Sequence, residues 1–162
     1  MKITVQVLIE SEANAPAVVE EVACFQRAAL TPKTLGMTLV EAKALLGGLQ
    51  ATMAAHQTAE YVDQQRTCPH CGAVRPRKGP GEIVVRSLFG ELNLSSPRLY
   101  RCSCQGQGRQ SESPLAERLP ARTAPELRYL QTKWASLMSY RLTVSLLEEV
   151  LPIHLNVAAV WR

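Results

Sequence analysis

Aromatic side chains are scarce, at 5% of 162 residues, so any core has to be built mainly from Leu, Val and Ala. No apolar run approaches the roughly 20 residues that a membrane-crossing helix needs. Residues 1–10 alternate and end in acid, without the basic-then-apolar plan of a secretory signal. The three histidines, His56, His70 and His154, are scattered, and neither a nucleophile elbow nor a phosphate-cradling glycine loop occurs. These absences argue against a membrane partner, a small-molecule substrate and an enzyme with its own active site. The expectation is a soluble cytoplasmic protein. An apolar fraction of 46% favours a folded chain, and its length suits one ordinary domain or two small ones.

Charge is present but unevenly placed. Residues 1–66 hold five basic and seven acidic side chains, whereas residues 67–162 hold thirteen basic and seven acidic ones; eleven of those thirteen are arginine. The guanidinium fork pairs at two points with phosphates and with guanine edges. The C-terminal part is thus the candidate anion-binding half, with a solvated basic face as the plainer alternative.

Five cysteines, an odd number without a signal peptide, do not suit a secreted disulfide framework. Four of them form two close pairs. In Cys68-Pro69-His70-Cys71-Gly72, two spacers let a tight turn present both sulfurs to one tetrahedral ion; proline pre-sets the backbone, and glycine tolerates a left-handed conformation. Cys102-Ser103-Cys104 supplies the second pair. A four-thiolate zinc site leaves no position open for water, so its role is structural; iron takes the same ligands. Thirty residues separate Cys71 from Cys102, and the second pair has one spacer instead of two. His70 therefore stands as an alternative ligand. A Cys68/Cys71 redox couple is a further alternative, although it lacks a thioredoxin-like βαβ setting. With few apolar residues between 68 and 104, the metal is expected to be what folds that segment.

Along the chain, residues 1–9 read as a strand. Asn14 is a candidate cap for a helix carrying Val18, Val22 and Phe25, with Cys24 as a small core residue. Thr38 with Glu41 is a capping box, and Leu39, Ala42, Leu46, Leu49 and Met53 continue at helical spacing toward residue 65. That helix, weakened in its middle by Gly47-Gly48, packs within the chain or against a second copy. Residues 83–89, 91–94 and 98–101 read as short strands, with turn chemistry at 79–81, Gly90 and 95–97. Residues 105–113 are a polar linker. Thr123 to Glu126 repeats the capping box before a stripe of Leu127, Leu130, Trp134, Leu137 and Met138. A second helix follows at 142–151, and Asn156 caps a third.

Residues 67–79 (TCPHCGAVRPRKG), 83–90 (IVVRSLFG) and 96–104 (SPRLYRCSC) resemble the N-terminal region of bacterial insertion-sequence transposases of the ISKra type. So do residues 35–46, 123–136 and 142–152. The resemblance implies a transposon-end-binding region in the bacterial cytoplasm: a zinc ribbon followed by a helix-turn-helix, with double-stranded DNA as partner. Residues 142–151 would be its first helix and Asn156 the start of its recognition helix. The RNase-H-like domain with its carboxylate triad lies further along in such proteins, and no suitable acidic constellation stands here. The reading is therefore a non-catalytic, truncated transposase. An assembly module that pairs with a full-length transposase or another nucleoprotein complex is the alternative.

The expected architecture is α+β: an N-terminal strand plus helices (1–66), a ribbon of short antiparallel strands on Cys68, Cys71, Cys102 and Cys104 (67–104), a linker (105–122) and a truncated helix-turn-helix-like region (123–162). Arg75, Arg77, Lys78, Arg86, Arg98 and Arg101 are the candidates for phosphate contact. The 38–65 helix is the candidate for homo-oligomer formation.

Overall fold

The computed structural model describes residues 1–10, 16–106 and 110–156. Among these residues it is an α+β fold, with four helices and seven short strands arranged in small sheets. The chain divides into two units. One comprises Met1–Thr52, Leu88–Gly90 and Gln131–Arg162; the other comprises Met53–Ser87 and Glu91–Leu130.

The first unit opens with a hairpin of β1 (Lys2–Ile9) and β2 (Val18–Gln26). The antiparallel ladder runs from Lys2 opposite Gln26 to Ile9 opposite Val18. Its register shifts between Val5, opposite Ala23, and Gln6, opposite Glu21, which leaves Val22 as an extra residue. The helix expected over Val18, Val22 and Phe25 is therefore a strand. The bulge accounts for the difference, because one inserted residue breaks the two-residue alternation of a strand. Cys24, expected in a core, is exposed on β2. Asn14 lies outside the described residues.

The expected capping box forms at the start of α1 (Leu39–Gln64). The Glu41 backbone N–H donates to Thr38 Oγ1 at 3.2 Å, and the Thr38 N–H donates to Glu41 Oε2 at 2.9 Å. Arg27 joins this cap, pairing with Glu41 at 2.7 Å and donating to the carbonyls of Thr34 and Gly36 at 3.1 and 2.9 Å. Gly47 and Gly48 look like a weak point, but they sit where the chain packs closely and a side chain would force its neighbours to shift. A Cβ on Gly48 would lie 2.9 Å from Val22 Cγ1, and one on Gly47 would lie 3.2 Å from the Phe89 carbonyl oxygen.

Further along this unit, α4 (Tyr140–Val150) is capped by Ser139, whose side chain accepts from the Leu142 N–H, and it buries Thr143, Val144 and Leu147. The preceding helix, α3 (Pro125–Ala135), starts one step later than its apparent capping box. Ala124 supplies the first carbonyl acceptor, while Thr123 sits in a bridge beside Arg86. The third helix expected after Asn156 lies outside the described residues.

In the second unit, β3 (Arg77–Gly79), β6 (Arg98–Tyr100) and β7 (Ser111–Glu112) form one sheet in the order β3-β6-β7. The other pair, β4 (Glu82–Ser87) and β5 (Gly90–Ser95), forms a separate hairpin. Ile83, Leu92 and Leu94 from this hairpin join Ala54 and Val62 of α1 and Leu115 of α2 (Pro114–Arg118) in one apolar cluster. The segment between the cysteine pairs therefore has an apolar anchor of its own. The stretch read as a linker, 105–122, contains β7 and α2.

Candidate metal centre

The end of α1 delivers the chain directly into the first cysteine turn. Thr67 bridges antiparallel to Val74, the Cys68 N–H donates to the Ala73 carbonyl at 2.9 Å, and the Gly72 N–H donates to the Cys68 carbonyl at 2.9 Å. Gly72 has φ of 72°, the left-handed conformation that its position after the second cysteine calls for. On the other side, β6 leads into Cys102, after which a 3-10 turn over Ser103–Gln105 brings Cys104 round.

The two turns bring all four sulfurs within 4.8 Å of one another. Cys68 Sγ lies 3.5 Å from Cys104 Sγ, and Cys71 Sγ lies 3.4 Å from Cys102 Sγ. A tetrahedral ion with bonds of about 2.3 Å to sulfur places its ligands about 3.8 Å apart, inside the observed spread. Cys68 is buried, Cys102 half-buried, and Cys71 and Cys104 exposed. None is in a disulfide. The four thiols are placed to hold one metal ion. His70, the alternative ligand, is exposed, and its backbone N–H rather than its ring serves the site.

The donor set also fits a cation electrostatically. Backbone N–H groups of His70 and then Cys71 point at the Cys68 sulfur and help bring its thiol down to about 6. The Cys104 N–H is the main group lowering Cys102. At Cys71 the Ala73 N–H favours the thiolate, but the neighbouring Cys102 and Cys68 sulfurs outweigh it and the thiol is pushed up. Cys104 is pushed up to about 12, chiefly by the Cys102 sulfur and then by Cys68 and Cys71. Two of the sulfurs thus favour negative charge, while contact with neighbouring sulfurs disfavours it at the other two. A divalent cation among the four would favour the thiolate form of each.

The six cations expected to contact phosphate fall into different settings. Arg75 is only 5% exposed. Its Nη2 pairs with Glu112 at 2.5 Å, its Nε donates to the Tyr100 carbonyl at 3.1 Å, and its Nη1 donates to the Gln65 carbonyl at 3.3 Å. It is a structural tie joining the end of α1 to β6 and β7. Arg101 holds the other Glu112 oxygen at 2.9 Å and donates to Gln110 at 2.9 Å. Burial raises the Glu112 pKa, but Arg101 and Arg75 outweigh it and hold the carboxyl below its ordinary range. Arg86 lies on the β4–β5 hairpin, outside the ribbon sheet, and pairs with Glu91 at 2.9 Å. Arg77, Lys78 and Arg98 are exposed. They sit on adjacent strands, with Arg77 opposite Leu99, Gly79 opposite Arg98, and Lys78 at the register shift between. The Arg75–Glu112 pair escapes the sequence because its partners stand 37 positions apart; no local pattern distinguishes Arg75 from its basic neighbours.

Among the described residues, no helix is long and apolar enough to cross a membrane. Compared with protein-family models and with curated proteins, the chain matches none.

Proposed function

We propose that this chain is a zinc-dependent DNA-binding module of the insertion-sequence transposase kind, working on duplex DNA in the bacterial cytoplasm as a binding protein rather than as an enzyme. The observation carrying this reading is the convergence of four cysteines, the second pair following directly on β6, with Arg77, Lys78 and Arg98 exposed on β6 and its neighbour β3. Four thiolates suit zinc, which in a closed shell braces the fold without supplying a reactive water. Cations on a braced sheet can follow a phosphate backbone, and each phosphate they neutralise releases condensed counterions. Arg86 and Arg101, about half exposed although paired, are secondary contacts; Arg75 belongs to the interior. The test is metal analysis of the purified protein together with a gel shift on duplex DNA, including transposon-end sequence. The reading expects one zinc per chain and binding that weakens with salt. In the triple variant Arg77→Ala/Lys78→Ala/Arg98→Ala, the slope of log affinity against log salt should flatten by about 0.9 for each phosphate no longer neutralised. Binding indifferent to salt and to these substitutions overturns it.

A second reading, an assembly module, is favoured by the apolar surface of the first unit. Leu8, Val19, Leu30, Leu35 and Val40 are exposed there, and a groove of about 270 Å3 is lined by Ile3, Val5, Phe25, Met37 and Leu45, among others. On this reading the chain self-associates through α1 or joins a larger transposase. Sedimentation with and without DNA separates the two: a stable oligomer with no DNA affinity favours assembly.

A further inference from the structure

Two close sulfur–sulfur contacts run between the two cysteine turns. They are Cys71 with Cys102 at 3.4 Å and Cys68 with Cys104 at 3.5 Å. Within the first turn, the Cys68–Ala73 and Gly72–Cys68 backbone hydrogen bonds fix the path between Cys68 and Cys71. In the second, a single residue in a 3-10 turn separates Cys102 from Cys104. Exposure is graded as well: Cys71 and Cys104 reach solvent, whereas Cys68 is only 1% exposed.

We propose that the cysteine cluster is a peroxide-modified site, at which oxidation joins the two turns through a Cys71–Cys102 disulfide, with Cys68–Cys104 as the second bridge. This rests on the zinc reading above only for what leaves the site. The exposed Cys71 sulfur attacks a peroxide oxygen, the O–O bond breaks, and a sulfenic acid forms with loss of one water. The Cys102 sulfur then attacks the Cys71 sulfur, the S–O bond breaks, and the second oxygen departs as water. In sum, two thiolates, one hydrogen peroxide and two protons give one disulfide and two waters. The sulfurs lose two electrons and the peroxide gains them. A metal ion held by the four thiols would lose two of its ligands in this step. The new bond links the same two turns that supply the four thiols, so β6, which leads into Cys102, keeps a covalent tie to the first turn.

The experiment uses the full chain carrying Cys24→Ser, which removes the exposed odd thiol on β2. Zinc is measured first, then one equivalent of hydrogen peroxide is added, free thiols are alkylated, and the protein is digested with trypsin. Cleavage after Arg66, Arg77, Arg101 and Arg109 (Pro76 protects the bond after Arg75) places each cysteine pair on its own peptide, 67–77 and 102–109. The expected product is these two peptides joined and separated again by reductant, with zinc released in proportion. Unlinked peptides, either of them lighter by two hydrogens, overturn the proposal. So does Cys71 carried on to sulfinic acid without a link. Zinc present at the outset without joined peptides defeats this inference alone; joined peptides from protein that never held zinc uphold it while the zinc reading fails.

Discussion

Replacing Arg75 with alanine separates structure from binding most sharply, because the basic run around it looks uniform in sequence. Its guanidinium is almost wholly buried and donates to Glu112, Tyr100 and Gln65. Removing one member of a buried ion pair costs roughly 3–5 kcal/mol, since the surviving charge and the freed carbonyls are left without partners. Here Arg101 still holds the second Glu112 oxygen, and the Glu112 side chain keeps 20% exposure. The loss should therefore fall at the lower end, about 3 kcal/mol. That is on the order of a 100-fold shift toward the unfolded state. Urea unfolding of the metal-loaded protein reads it as a lower midpoint at unchanged slope, while Arg77→Ala and Lys78→Ala stay within about 0.5 kcal/mol of the parent, as exposed substitutions do. An Arg75→Ala protein as stable as the parent, with DNA affinity reduced as in Arg77→Ala, would refute the reasoning and return Arg75 to the phosphate contacts.

Metal removal should act unevenly within the second unit. After chelation, amide protection is expected to fall across the cysteine turns and β3-β6-β7, and to persist in β4–β5, whose Ile83, Leu92 and Leu94 are anchored in the apolar cluster; uniform loss in hydrogen exchange would contradict this. Gly48→Ala should destabilise by about 1–2 kcal/mol through overpacking against Val22, reversing the gain that helix propensity alone forecasts. Thermal unfolding gives the sign. Glu41 makes a pH test: the hydrogen bond from Arg27, followed by that from the Thr38 N–H, lowers its pKa from 4.5 to about 2. A carboxyl depressed by folding stabilises above its unfolded value and loses that contribution as pH falls through the folded one. The melting-temperature advantage of the parent over Glu41→Gln should therefore shrink between pH 4.5 and 2; a constant difference would rule this out.

Features written in adjacent residues are legible in the sequence. Thr38 and Glu41 announce the start of α1, and Cys68-Pro69-His70-Cys71-Gly72 announces a turn that presents two sulfurs. Features set by distant partners are not. β2 is hidden by the bulge at Val22, which depends on register with β1. β3 (Arg-Lys-Gly) and β7 (Ser-Glu) carry no apolar alternation and pair through backbone geometry on either side of β6. Thr123 resembles a cap but is drawn into a bridge with Arg86, which moves the helix start onward. The strands at 83–89 and 91–94 are legible as elements, but the sheet they join is not the ribbon expected of them, because nothing local says which strands a hairpin will pair with.

The long interval between the cysteine pairs acquires a simple meaning from one contact. The Ser96 N–H donates to the Gly81 carbonyl at 2.7 Å, and Gly81 comes so close to Ser96 that a Cβ there would collide with its carbonyl oxygen. Seen from the sulfurs, residues 82–95 are a detour that returns the chain to its point of departure. The Gly81–Ser96 gate closes the base of the hairpin and holds the ends of the flanking strands together. Distance along the chain between the cysteine pairs is thus no distance in space, and the intervening residues are free to serve the apolar cluster through Ile83, Leu92 and Leu94.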